Sequence, residues 1–160
     1  MESYLDKIKT LEEAKNVCDG AKASGGSIVF TNGCFDILHP GHTRYLHDAR
    51  KLGDHLVIAV NSDRSVKAIK DPGRPILAEQ VRAELVASLA CVDTVLIFEE
   101  DNPLRVIKYL LPGILVKGGD WSEDEIIGAD VVKQGGGEVR RIPYVSRHAT
   151  TDIIKKIRES

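Results

Sequence analysis

Short apolar runs alternate along this chain with longer stretches in which apolar residues recur every third or fourth position. Ser27-Ile28-Val29-Phe30-Thr31 reads as a short buried strand, and His55 to Val60, Thr94 to Phe98, Ile114-Leu115-Val116 and the stretch around Val139 to Ile142 as four more strands. The intervening segments predict helices. Thr10-Leu11-Glu12-Glu13 is a capping box that opens a helix of about a dozen residues, stopping before Gly25-Gly26. A second helix runs from Gly41 to about Lys51 and ends at Gly53. Asn61 or Ser62 caps a short third one through Lys70, which Asp71-Pro72-Gly73-Arg74-Pro75 breaks. From Ala78 to Ala90, Val81, Leu85 and Leu89 recur at a spacing of four, which predicts the core face of an amphipathic helix. Asn102-Pro103 starts another with Pro at the first helical position, and Pro112-Gly113 ends it. A short acidic helix precedes Gly135-Gly136-Gly137. Thr150 or Thr151 caps a final helix whose Lys155, Lys156 and Arg158 suit its negative end.

Strands alternating with helices predict an α/β fold, a doubly wound parallel sheet with helices on both faces. Ligands of such sheets lie beyond the carboxyl ends of the strands, where the strand order reverses, so the loops after strands one and four matter most. We expect one domain over residues 1–160, with an N-terminal helical segment (1–26) appended to a core at 27–158. Composition adds exclusions. Hydrophobic residues are 42% and charged residues 29%, an ordinary globular mixture. A net charge of −2 removes the general electrostatic case for nucleic acid or anionic membrane, though not for a local basic pocket. The longest aliphatic run, Leu56 to Val60, falls far short of the roughly 18 residues of a membrane span. The start Met1-Glu2-Ser3-Tyr4-Leu5-Asp6-Lys7 carries no secretory pattern, so a cytoplasmic setting is expected. Cys18, Cys34 and Cys91 form no Cys-x-x-Cys pair and read as free thiols.

The chemistry concentrates after the first strand, in Thr31-Asn32-Gly33-Cys34-Phe35-Asp36-Ile37-Leu38-His39-Pro40-Gly41-His42. Gly41 permits close backbone approach, and the helix that follows points its free N–H groups at the same spot. His39 and His42, three residues apart at the helix entrance, add two donors able to stabilise charge on a transferring phosphoryl group. Cys34, Asp36, His39 and His42 also have zinc-ligand chemistry, a rival reading. A nucleotide-binding sensor without turnover is another. Residues 67–75 carry little apolar content and are expected to be loosely held, with Lys67 and Arg74 free to close on a phosphate.

His39-Pro40-Gly41-His42 matches the His-x-Gly-His signature of the cytidylyltransferase-like nucleotidyltransferases. Further segments resemble the D-glycero-β-D-manno-heptose 1-phosphate adenylyltransferases: Phe30 to His39, Ala49 to Asp54, Val60-Asn61-Ser62-Asp63 with Ser65-Val66-Lys67, Phe98 to Asp101, Leu115 to Asp120 and Thr150 to Ile157. The likeness covers residues 27–158. It implies a Rossmann-like nucleotidyltransferase fold and attack of a sugar 1-phosphate on the α-phosphorus of ATP, with Mg²⁺ carried on the triphosphate and no protein ligand assigned to it. It also implies the separate form without a sugar kinase, and a homodimer. His39, His42 and Lys67 are the implied catalytic residues. The nucleotide set adds Thr31, Asn32, Gly33, Phe35, Asp36, Gly41, Lys117, Gly118, Asp120, Thr150 and Thr151. Cys34, Arg74, Arg82, Trp121 and Arg147 are candidates for the acceptor. Where the family usually reads Ser-Thr-Thr, this chain has Ala149-Thr150-Thr151. Gly119-Asp120-Trp121 also resembles the glycerol-3-phosphate cytidylyltransferases, which use CTP and are the alternative within the enzyme class.

Overall fold

Five strands, β1 (Ile28–Gly33), β2 (His55–Asn61), β3 (Thr94–Phe98), β4 (Ile114–Gly118) and β5 (Glu138–Ile142), form one parallel sheet in the order β3-β2-β1-β4-β5. This computed structural model describes residues 3–119, 122–143 and 149–160. The order reverses between β1 and β4, so the loops leaving those two strands share the crevice at the switch point.

Each face of the sheet carries its own apolar layer. On one, Phe30, Val57, Ala59, Leu96 and Leu115 pack against helix α1 (Leu11–Ala23), through Ala14 and Cys18, and against α5 (Leu104–Leu110) and α6 (Ala129–Gln134). On the other, Val29, Leu56, Ile58, Val60 and Val116 meet Leu46 and Ala49 of α2 (Pro40–Arg50) and the inner side of α4 (Glu79–Ala87). The doubly wound arrangement is therefore observed. The Thr10–Glu13 capping box is formed, with Thr10 Oγ1 accepting from the Glu13 N–H and the Glu13 carboxylate accepting from the Thr10 N–H. Ser62 caps α3 (Asp63–Ile69) by accepting from Ser65 N–H.

Three expectations are corrected. In α4 the stripe of leucine and valine does not face the core as a whole: Val81 and Leu85 are 44% and 38% exposed, whereas Leu89, beyond the helix end, does pack against it. The buried side consists of Arg82, Ala83, Val86 and Ala87. One residue along a helix is a rotation of about 100°, and two small alanines together with the hydrogen-bonding demand of Arg82 turn that side inward. Neither Thr150 nor Thr151 caps the last helix, α7 (Thr150–Arg158): Ala149 occupies the cap position and offers no side-chain bond. Pro103 likewise sits at the cap of α5 and not inside it, while Asn102 Oδ1 accepts from Leu104 N–H at 3.0 Å. A short 3-10 turn, Tyr4–Lys7, and a bridge from Ile8 to Val95 extend the β3 edge.

Candidate active site

The loop leaving β1 is held by a chain of small-residue and ring contacts. Phe35 adopts a left-handed backbone (φ 47°), which swings its ring back over Gly33. A Cβ at Gly33 would stand 3.0 Å from that ring and would have to push it aside, so glycine suits the position. The Phe35 ring in turn leans on His42, with centroids 5.4 Å apart. His42 stacks on His39 at 3.8 Å, and both lie at the N-terminal end of α2. His39 is the cap of that helix, and its Nδ1 accepts from the Gly41 N–H at 3.1 Å. That bond places the neutral ring's proton on Nε2, making it a donor toward a ligand.

His42 is different. Burial first, and then the neighbouring His39, push its pKa down to about 4, so it is neutral at physiological pH. Its Nδ1 is buried and has no hydrogen-bond partner among the described residues. A stacked imidazole pair with an unsatisfied nitrogen at a helix N-terminus has the polar chemistry to receive a ligand.

Asp36 does not point at this spot. It is 1% exposed and accepts from Arg74 Nε at 2.6 Å, from Ile76 N–H and from Leu77 N–H. Burial raises its pKa, but these bonds outweigh it and leave the carboxyl below its ordinary value. The 67–75 segment expected to be loose is thus tied at its end, and Arg74 is engaged by Asp36 in the structure as it stands. Arg82 is fully buried: Nε donates to Leu77 O, Nη1 to the carbonyls of Cys34 and Asn61, and Nη2 to Asp63 at 2.8 Å. It knots together the ends of β1, β2 and α4, behind the open site. Thr31 is also buried, its hydroxyl 2.7 Å from Tyr45 Oη, which donates to Val116 O. Together these residues form the frame.

The structure brings Lys117 to the same crevice from β4. Burial lowers its ammonium pKa, opposed by Cys34 and assisted by the charge of Lys70. Cys34, half-buried beside Lys70, Arg82 and Arg74, has its thiol pushed up by burial. Lys70 was not foreseen from sequence, where it read only as a helix end; its charge acts on both Cys34 and Lys117. Lys67 is exposed on α3. Gly118 pairs with Ile142, and Gly119 (φ 91°) turns the chain away while donating its N–H to Ile142 O. Thr150 Oγ1 donates to Ile37 O at 3.3 Å, bringing the start of α7 against the histidine loop, with Thr151 exposed beside it. Asp120, Trp121 and Arg147 lie outside the described residues. Among the described residues no three His, Cys, Asp or Glu side chains converge to hold a metal, and Asp36 is turned to Arg74, away from the histidine pair, which does not suit the zinc reading.

The strand reversal, with an imidazole pair at the start of α2 on one strand's exit and a half-buried lysine at the end of the neighbouring strand, is the place where Rossmann-type sheets receive their ligands. The profile of the cytidylyltransferase-like family matches residues 30–155, and the chain belongs to that family. The bifunctional protein HldE of Syntrophotalea carbinolica is 47% identical over 154 residues, covering 96% of this chain and 31% of the relative. The bifunctional protein HldE of Haemophilus ducreyi is 51% identical over 150 residues, covering 94% and 32%. The chain thus spans about a third of the length of these relatives. The crystal structure of a lipopolysaccharide core biosynthesis protein from Thermoplasma volcanium superposes with a TM-score of 0.64 at 29% identity, covering 78% of this chain and 100% of that one.

Proposed function

We propose that this chain is an adenylyltransferase that joins a sugar 1-phosphate, D-glycero-β-D-manno-heptose 1-phosphate, to the AMP part of ATP and releases pyrophosphate. The observation that carries the reading is the stacked His39–His42 pair with its unpartnered nitrogen at the N-terminus of α2. The heptose-type sequence around both crevice loops and the similarity to the HldE proteins support the choice of sugar.

A sugar phosphate is largely dianionic at neutral pH, its second pKa being about 6. Its oxygen needs no general base. The site must hold two anions in line and neutralise charge as one bond forms at the α-phosphorus and the bridge to pyrophosphate breaks. His39 Nε2–H, the first N–H groups of α2 and the neutral His42 ring serve the triphosphate. Lys67, exposed and without an ion pair among the described residues, reaches across to it. Thr150, Thr151 and Gly118 border the nucleoside. ATP would enter as its Mg²⁺ complex, with the ion carried on the triphosphate. A cytoplasmic homodimer is the proposed setting. No described helix is long and apolar enough to cross a membrane, and the exposed Val81 and Leu85 suit a subunit contact. The direct test is ³¹P spectroscopy of ATP and heptose 1-phosphate incubated with the protein. A sugar-linked diphosphate appearing with pyrophosphate is expected. Free AMP or ADP instead contradicts the transfer.

A further inference from the structure

Side chains alternate between the two faces of each strand, and the strand register shows where the sheet turns polar. On the face carrying Ala59, Phe30, Leu115 and Val139, the next inward position of each strand toward its carboxyl end is Asn61, Asn32, Lys117 and Arg141 in turn. The opposite face carries Val60, Val116 and Ile142 there, and its polar residue, Thr31, is already paired with Tyr45. A polar row thus runs along the carboxyl edge of β2, β1, β4 and β5 on the α1/α5/α6 side, whereas α2 and its histidines pack on the other side.

Two members of this row are incomplete. Lys117 is half-buried yet forms no ion pair among the described residues, and the nearby Lys70 has none either. Asn61 is 1% exposed; its Nδ2 donates to Ser65 Oγ at 2.9 Å, but its Oδ1 has no partner among the described residues. A half-buried cation beside a second positive charge favours an anion, and a buried carbonyl oxygen calls for a donor. One ligand class meets both needs, a phosphate monoester that carries hydroxyl groups. In-line transfer also requires the attacking and leaving oxygens to stand on opposite sides of the α-phosphorus. With pyrophosphate departing toward α2, the nucleophile approaches from the Lys117 side.

We propose that Asn61, Asn32 and Lys117 form the acceptor pocket, with Lys117 holding the acceptor's phosphate and Asn61 Oδ1 accepting from one of its hydroxyls. This rests on the transfer reading above and moves Asn32 and Lys117, which the sequence assigns to the nucleotide, to the second substrate. Calorimetric titration separates the two. Heptose 1-phosphate, inorganic phosphate and Mg²⁺·ATP are each titrated into wild type, Lys117→Met and Asn61→Ala. Lys117→Met is expected to weaken both phosphate probes at least about tenfold, and Asn61→Ala only the sugar phosphate, while Mg²⁺·ATP stays within about twofold. Removing a half-buried charge without an ion pair should leave the melting temperature of Lys117→Met at or above wild type, so the variant reports binding and not unfolding. Weakened Mg²⁺·ATP with unchanged sugar phosphate overturns the pocket, as does a wild type that binds neither phosphate probe. If Lys117-dependent binding is found but no transfer occurs, the pocket stands and the function falls. Transfer by a Lys117→Met protein with unaltered sugar-phosphate affinity gives the reverse.

Discussion

At the residue scale His42 unites packing, protonation and chemistry. The unfolded chain protonates it near 6.5, the folded protein only near about 4. Protons are therefore bound more readily by the unfolded state in that interval, and stability falls as pH drops from 6.5 toward 4, with no contribution above it. His55, whose pKa burial also lowers, acts in the same direction. Asp36, whose pKa is lowered, loses its contribution only at more acidic pH. Denaturant melts at several pH values should show a shallower acid decline for His42→Phe than for wild type, and equal slopes would remove His42 as its source. For catalysis, His42→Ala should lower kcat by roughly 100-fold, the loss typical of one preorganised donor, in a protein that still folds. Lys67→Ala should lower kcat more than ATP affinity; steady-state and binding measurements that both stay within about twofold of wild type would leave it a solvent-exposed lysine. His39 and His42 were legible in sequence because their spacing and the Pro-Gly between them are local. Arg82 was legible as an acceptor candidate by resemblance, but its role in the frame was not, since its partners Cys34 and Asn61 lie far along the chain.

At the element scale the Asp36 clamp shows how one buried carboxylate shapes a loop. Asp36→Ala leaves the Arg74 guanidinium and two backbone N–H groups without their acceptor. A cost of about 2–4 kcal/mol follows, along with protease cleavage in residues 70–77 that wild type resists; urea unfolding and limited proteolysis measure both. Helix α4 marks where periodicity misleads. Its leucine spacing was real, but alanines set the distance to the sheet and Arg82 set the rotation, neither visible in a hydrophobic pattern. Val86→Glu, at 0% exposure, should abolish folding. Leu85→Glu should leave the subunit folded and shift sedimentation from dimer to monomer. Strands were easier to read, because a parallel sheet covered on both faces leaves continuous apolar runs.

At the scale of the whole molecule, strand order determines the rest. The reversal between β1 and β4 sets α2 and its histidines on one side of a crevice and Lys117 with Asn61 on the other. Two anions can therefore meet from opposite faces over the end of β1. The central claim is transfer of an adenylyl group to a heptose phosphate, and pyrophosphate release tests it when ATP and CTP are each paired with heptose 1-phosphate and with glycerol 3-phosphate. The account predicts the highest specificity constant for ATP with heptose 1-phosphate, at least about tenfold above CTP with either acceptor, a gap of ~1.4 kcal/mol. Equal or better release from CTP and glycerol 3-phosphate would contradict it.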